Sequence, residues 1–233
     1  MAKLMSLHFK YLHTRINIIL ETICFMALVI SFLIGSKILL RYEFKWINQK
    51  ELTLSYKNLA INLSKIFIPL LSCYLFGNSF QKINDDYKQI IIKTRFDRIK
   101  YLVSKQLVIS IVILALTMLC NCFYLLFGKL SIPNFTSKGI INKTWIELYL
   151  IAIFYGLLSN IGVVVTKSGF AYIMIVMLYF IIQIIAEASS LHIILFPYLM
   201  IDHLSSNWIL VICEIILIYW LSLIIFYYID IWN

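Results

Sequence analysis

The sequence predicts an all-α, polytopic membrane protein, with six transmembrane helices plus an N-terminal helix lying in the interface. Three observations carry this reading. First, of 233 residues 62% are hydrophobic and only 13% charged; an ordinary soluble domain is about 45–50% apolar and about 25% charged. A water-soluble fold of this length cannot hide so much apolar surface. Second, the mean hydropathy is +0.92. Both observations exclude a soluble globular enzyme, and exclude a disordered chain more firmly. Third, apolar runs recur at the length of about 20 residues that a helix needs to cross a bilayer core. The whole chain, 1–233, reads as a single transmembrane domain.

The elements follow in chain order. Residues 1–15 are too short and polar to span. On a helical wheel Lys3, Ser6, Lys10 and His13 form one polar stripe, and Leu4, Leu7, Tyr11 and Leu12 lie opposite. That pattern fits an amphipathic helix at the membrane surface. Six spans are expected at about 17–40, 59–80, 106–127, 145–166, 169–188 and 208–229. The first is too long for the apolar core of a signal peptide, and no small-x-small cleavage site follows it, so it is expected to remain as a helix. Pro69 falls inside the second and is expected to kink it. Tyr42, Trp46, Trp145, Tyr149, Trp208, Tyr227, Tyr228 and Trp232 mark span ends, where an aromatic ring rests in the apolar layer and its polar atom reaches water. Residues 189–207 are apolar and contain no Lys or Arg. They are too short to cross and fit a surface-lying or re-entrant cap.

Six spans put both termini on one side. Basic residues favour the cytoplasmic side for them by a narrow margin, mainly through the cluster at 82–105. In a membrane chain the net charge of +9 fits contact with anionic headgroups; no nucleic-acid partner is expected. Cys24, Cys73, Cys120, Cys122 and Cys213 all fall in apolar runs. An odd number in such settings argues against a disulfide framework, and the five read as small core hydrophobes.

The most informative stretch is 81–105, which carries seven of the 20 basic residues: Lys82, Lys88, Lys93, Arg95, Arg98, Lys100 and Lys105. Its apolar residues, Ile90, Ile91, Phe96, Ile99, Tyr101 and Leu102, point to helix. A basic, amphipathic, helical segment between two spans offers a docking surface for a soluble partner.

Here the chain resembles the permease subunits of type-2 ABC exporters. Those proteins open with an amphipathic helix. Between spans two and three they carry acidic residues, a Gly-Thr pair, an apolar run, Pro-x-Ser-Arg, an aromatic, and a Lys that starts span three. In this chain Asp85 and Asp86 stand at the acidic position and Ile90 to Ile92 in the apolar run. Phe96-Asp97-Arg98 stands at x-Ser-Arg, Lys100 and Tyr101 in the aromatic-basic stretch, and Lys105 at the start of span three. The Gly-Thr pair is missing and Arg95 takes the Pro position.

The resemblance implies cytoplasmic termini and a coupling segment at 81–105 that docks on a separate ABC ATPase subunit. Asp85, Asp86, Arg95, Arg98, Lys100, Tyr101 and Lys105 are its expected contacts. A second permease subunit, identical or not, is implied beside it. No G-x-x-x-x-G-K-[ST] phosphate loop is present, so ATP is expected in the partner and no cofactor in this chain. Ala152-x3-Gly156 is a small-xxx-small step that permits close helix approach.

An acid at membrane depth is costly and needs a reason. Glu147, Glu187 and Glu214 fall in the outer half of the membrane under this topology. They form a candidate substrate-path patch for a cationic amphipathic cargo, against the plainer reading of snorkelling at span ends. No catalytic constellation is seen and no enzyme activity is expected. His192, Asp202 and His203 are too loosely spaced to expect a metal site. The functional expectation is a permease in a bacterial cell membrane, exporting an amphipathic or antimicrobial-type peptide (as in bacteriocin immunity) or another hydrophobic compound. A non-transport scaffold or sensor, binding a cytosolic partner through the same basic loop, is the alternative.

Overall fold

The computed structural model describes residues 5–6, 26, 29–30, 49–78, 95–132, 135, 140–189 and 208–228. Over these residues the protein is all-helical, with five long helices: α1 (Gln49–Asn78), α2 (Arg95–Ser131), α3 (Ile140–Thr166), α4 (Phe170–Ser189) and α5 (Trp208–Tyr228). Four contain stretches long and apolar enough to cross a membrane: Thr53–Asn78, Asp97–Leu130, Thr144–Thr166 and Val211–Tyr228. In α4 the apolar stretch Phe170–Ala186 is shorter. The protein is therefore read as a membrane protein. The expected first span at 17–40 and surface helix at 1–15 lie mostly outside the described residues. Those that are described, Met5, Ser6, Met26, Val29 and Ile30, are helical.

Two boundaries differ from the sequence expectation. Helix α1 starts ten residues before 59, because Lys57 and its polar neighbours lengthen the helix without interrupting it. Helix α2 begins at Arg95 and runs unbroken for 37 residues. The second half of the expected coupling segment is therefore the first turns of a span. Nothing between Arg95 and Leu107 breaks a helix, and Asp97 in the first turn favours its positive end.

The helices pack as an alternating bundle around α1 and α3. In these two spans 61% of the apolar window is buried, against 17% in α5. Helices α1 and α3 run parallel, and their contacts advance together: Ser72 meets Ala152, and Gly77 meets Ser159. The approach is close because the facing residues are small. A Cβ at Gly156 would lie 2.5 Å from Ser72 Oγ and crowd the Phe76 ring. Two hydroxyls cross the seam: Ser72 Oγ donates to Ala152 O (2.6 Å) and Ser159 Oγ to Cys73 O (2.8 Å). The small-xxx-small step thus works within the chain. Without water as a competitor, close packing and such hydrogen bonds hold membrane helices together.

Helix α3 ends at Thr166, where Lys167 takes a left-handed conformation (φ 54°) that stops the helix without a glycine. Ser168 Oγ then accepts from Phe170 N–H (3.2 Å) and caps α4. At the Gln49 end, Tyr56 stacks on Tyr124 (centroids 5.1 Å apart) and donates to its carbonyl (3.1 Å). Phe135 packs edge-on against both rings. Among the described cysteines, Cys73 and Cys120 are buried as expected of core hydrophobes, but Cys122 and Cys213 face outward. They sit on faces whose other large residues are also apolar and exposed, such as Leu119 and Ile212.

If the α1–α3 seam is as tight as its atoms indicate, Gly156→Val overpacks it. The expected cost is about 1–3 kcal/mol, read as a lowered unfolding temperature of the detergent-solubilised protein. An unchanged transition would contradict the seam.

Candidate functional site

Two places in the bundle concentrate polar chemistry. The first is the Arg95 end of α2. Lys100 is exposed, Arg98 half-buried, and Tyr101 and Lys105 are buried. Lys105 Nζ donates to Tyr101 Oη (2.8 Å) one turn away and lies 5.1 Å from the centre of that ring. Tyr101 also packs with Leu102, Val163 and Phe226 in a small apolar cluster joining α2, α3 and α5. One residue further, Gln106 Nε2 donates to Ser222 Oγ of α5 (3.1 Å). The expected docking residues therefore divide. Arg98 and Lys100 are accessible at the end of the helix, while Tyr101 and Lys105 are internal contacts in this arrangement. Arg95 opens the helix. Asp85 and Asp86 lie outside the described residues.

The second place is the middle of the bundle. Pro69 has no amide hydrogen, so the carbonyl four residues earlier, Lys65 O, loses its helical donor. The Tyr179 hydroxyl of α4 donates to that carbonyl at 2.8 Å. In a membrane interior a freed backbone group needs such a substitute, and Pro69 is accommodated within a continuous α1. Tyr179 also packs edge-on against Tyr155 of α3, with ring centroids 4.9 Å apart. The Tyr155 hydroxyl is buried and has no hydrogen-bond partner among the described residues; the same holds for Ser64 Oγ, both amide atoms of Asn160 and Glu214 Oε2. Glu214, in α5, lies within electrostatic range of Tyr155.

The three expected substrate-path acids lie on three different helices. Glu147 is buried in α3. Glu214 lies in α5. Glu187 lies in α4 near its end. Among the described residues no three His, Cys, Asp or Glu side chains gather as metal ligands; His192, Asp202 and His203 lie outside those residues.

The residue that sequence reading missed is Lys65. It is 4% exposed and sits within the second span. The signal was present: a lysine inside an apolar run, four residues before a proline.

Neither the protein-family models, nor the curated proteins, nor the solved structures contain a match to this chain. Its own geometry defines a helical membrane protein with a charged helix end and a polar interior.

Tyr179→Phe removes the donor to Lys65 O and is expected to cost about 1–3 kcal/mol, the penalty of an unsatisfied buried polar group. In a Pro69→Ala background the helical amide is restored, and the same change is expected to cost much less. A double-mutant cycle on thermal stability reads the difference; additive effects would contradict the pairing.

Proposed function

We propose that this chain is the permease subunit of an ATP-driven ABC transporter in a bacterial cell membrane, with both termini cytoplasmic. It exports an amphipathic or antimicrobial-type peptide or a similar hydrophobic compound. The observation that carries this reading is the continuity of α2. One rigid helix bears Asp97 and Arg98 at its charged end and anchors Tyr101, Lys105 and Gln106 in the bundle. A force applied to that end moves the helix as a body. The apolar cluster that holds Tyr101 and Phe226, and the hydrogen bond of Gln106 to Ser222, pass the motion to α5. Rigid-body shifts of packed helices are a general means of converting a local event into a global one.

In this reading the ATPase subunit docks at the Arg95 end and supplies ATP hydrolysis, and a second permease subunit completes the pathway. Glu147, Glu187 and Glu214 supply negative charge along the route of a cationic amphipathic cargo. The polar interior near Tyr155 supports a path that is not purely hydrophobic.

The tagged protein, purified from its native membrane, is expected to bring with it a nucleotide-hydrolysing subunit. Arg98→Glu is expected to weaken that association about tenfold, equivalent to about 1.4 kcal/mol. In the reconstituted complex, Glu187→Gln with Glu214→Gln is expected to slow transport of a cationic peptide. Purification of the intact chain with a cytosolic partner that hydrolyses no nucleotide would contradict the transporter and favour a membrane scaffold or sensor.

A further inference from the structure

The start of α2 meets the ends of α3 and α5 in the apolar cluster of Tyr101, Leu102, Val163 and Phe226. One helical turn deeper, each of the three helices presents a polar residue on that side. Gln106 follows Leu102 by four residues, Asn160 precedes Val163 by three, and Ser222 precedes Phe226 by four. Residues three or four apart share a helix face, so Gln106, Asn160 and Ser222 form a polar layer next to the cluster. All three are buried, at 2%, 1% and 4% exposure.

The hydrogen bonds of this layer fix which atoms are left over. Ser222 Oγ donates to Tyr219 O (2.7 Å). A hydroxyl has one proton, so toward Gln106 it can only accept. Gln106 Nε2 is the donor that meets it (3.1 Å), which leaves Oε1 as the free end of that amide. Gln106 Oε1 is buried with no hydrogen-bond partner among the described residues, and so are Oδ1 and Nδ2 of Asn160. The layer therefore holds two acceptors and one donor group that do not bond to each other. Buried polar groups are almost always satisfied in native proteins, and the need is strongest where the surroundings are hydrocarbon.

We propose that this layer is a binding site for ordered water, which joins Gln106 to Asn160. Buried water characteristically bonds to such otherwise unsatisfied groups. Water both donates and accepts, so it meets the two carbonyl oxygens and the Asn160 amide hydrogens alike. A cation would meet the oxygens but not the amide, and would share the junction with Lys105, buried one residue before Gln106. An anion would meet the amide but not the oxygens. At this level α2 is thus bonded to α5 directly and to α3 through solvent, a contact that re-forms after a small shift. The inference concerns the isolated chain and does not rest on the transporter reading.

The test is hydroxyl-radical footprinting of the full chain in detergent. A brief X-ray pulse makes radicals from water in place, and mass spectrometry reads which side chains are oxidised. Radicals made at a bound water oxidise its neighbours even where bulk solvent does not reach. Phe226, one turn from the layer, is expected to be oxidised, whereas the equally buried Phe76, packed in the α1–α3 seam, is not. Asn160→Leu removes both amide atoms and is expected to abolish oxidation of Phe226. Asn160→Ser keeps a hydroxyl and is expected to retain it. Folding is read by circular dichroism, and Asn160→Val replaces the leucine variant if that one does not fold. Equal protection of Phe226 and Phe76 in the unmodified protein overturns the proposal. So does oxidation of Phe226 that persists in the folded apolar variant, since bulk solvent then supplies the radicals. If sodium chloride protects Phe226 and choline chloride at the same ionic strength does not, a cation fills the layer and the proposal is likewise overturned.

Discussion

Helix α1 cannot satisfy its own polar groups, and the rest of the bundle is arranged around that fact. Pro69 takes a donor away from the Lys65 carbonyl, and α4 returns one through Tyr179. Ser72 and Ser159 exchange hydroxyl hydrogen bonds with backbone carbonyls across the α1–α3 seam. In water these groups would turn to solvent. In hydrocarbon they have only neighbouring helices, so each bond fixes a helix in place. The glycines and the alanine of the seam matter for the same reason, since a hydroxyl reaches a carbonyl only when the backbones are close.

The peripheral helices have the opposite character. Large apolar side chains of α2, α4 and α5, among them Met118, Met174 and Leu217, point outward. What distinguishes α2 from the other two is its charged end, where Asp97, Arg98 and Lys100 precede residues buried in three-helix contacts. Along this one helix the side chains pass from half-buried at Arg98 and exposed at Lys100 to buried from Tyr101 inward.

Much of the fold was legible because apolar runs of span length have few alternatives. The helices α3, α4 and α5 lie within a few residues of the runs 145–166, 169–188 and 208–229. The small-xxx-small step of Ala152 and Gly156 was legible too, although its partner helix was not, because spacing says nothing about what lies across a seam. The Arg95–Lys105 stretch was read as part of a helical coupling segment that ends where a span begins, whereas it is continuous with the span. Charge alone did not show that Tyr101 and Lys105 are buried, with the Tyr101 ring and hydroxyl one turn away sheltering the Lys105 ammonium. Lys65 was overlooked for a related reason. A lysine reads as a boundary marker by its charge, although the apolar run around it and Pro69 four residues on point to an interior position.

The central claim is that α1 and α3 run parallel in direct backbone-close contact, with Ser72 facing Gly156. A variant free of native cysteines, carrying Ser72→Cys and Gly156→Cys, tests this directly in the native membrane. Mild oxidation followed by proteolysis and mass spectrometry reads whether the two cysteines of one chain are joined. The account predicts an intramolecular disulfide in most chains, since a Cβ at 156 lies 2.5 Å from the Oγ of residue 72 and in a disulfide each Cβ lies about 3 Å from the partner sulfur. Free thiols at both positions after oxidation, or cross-links only between different chains, would contradict it.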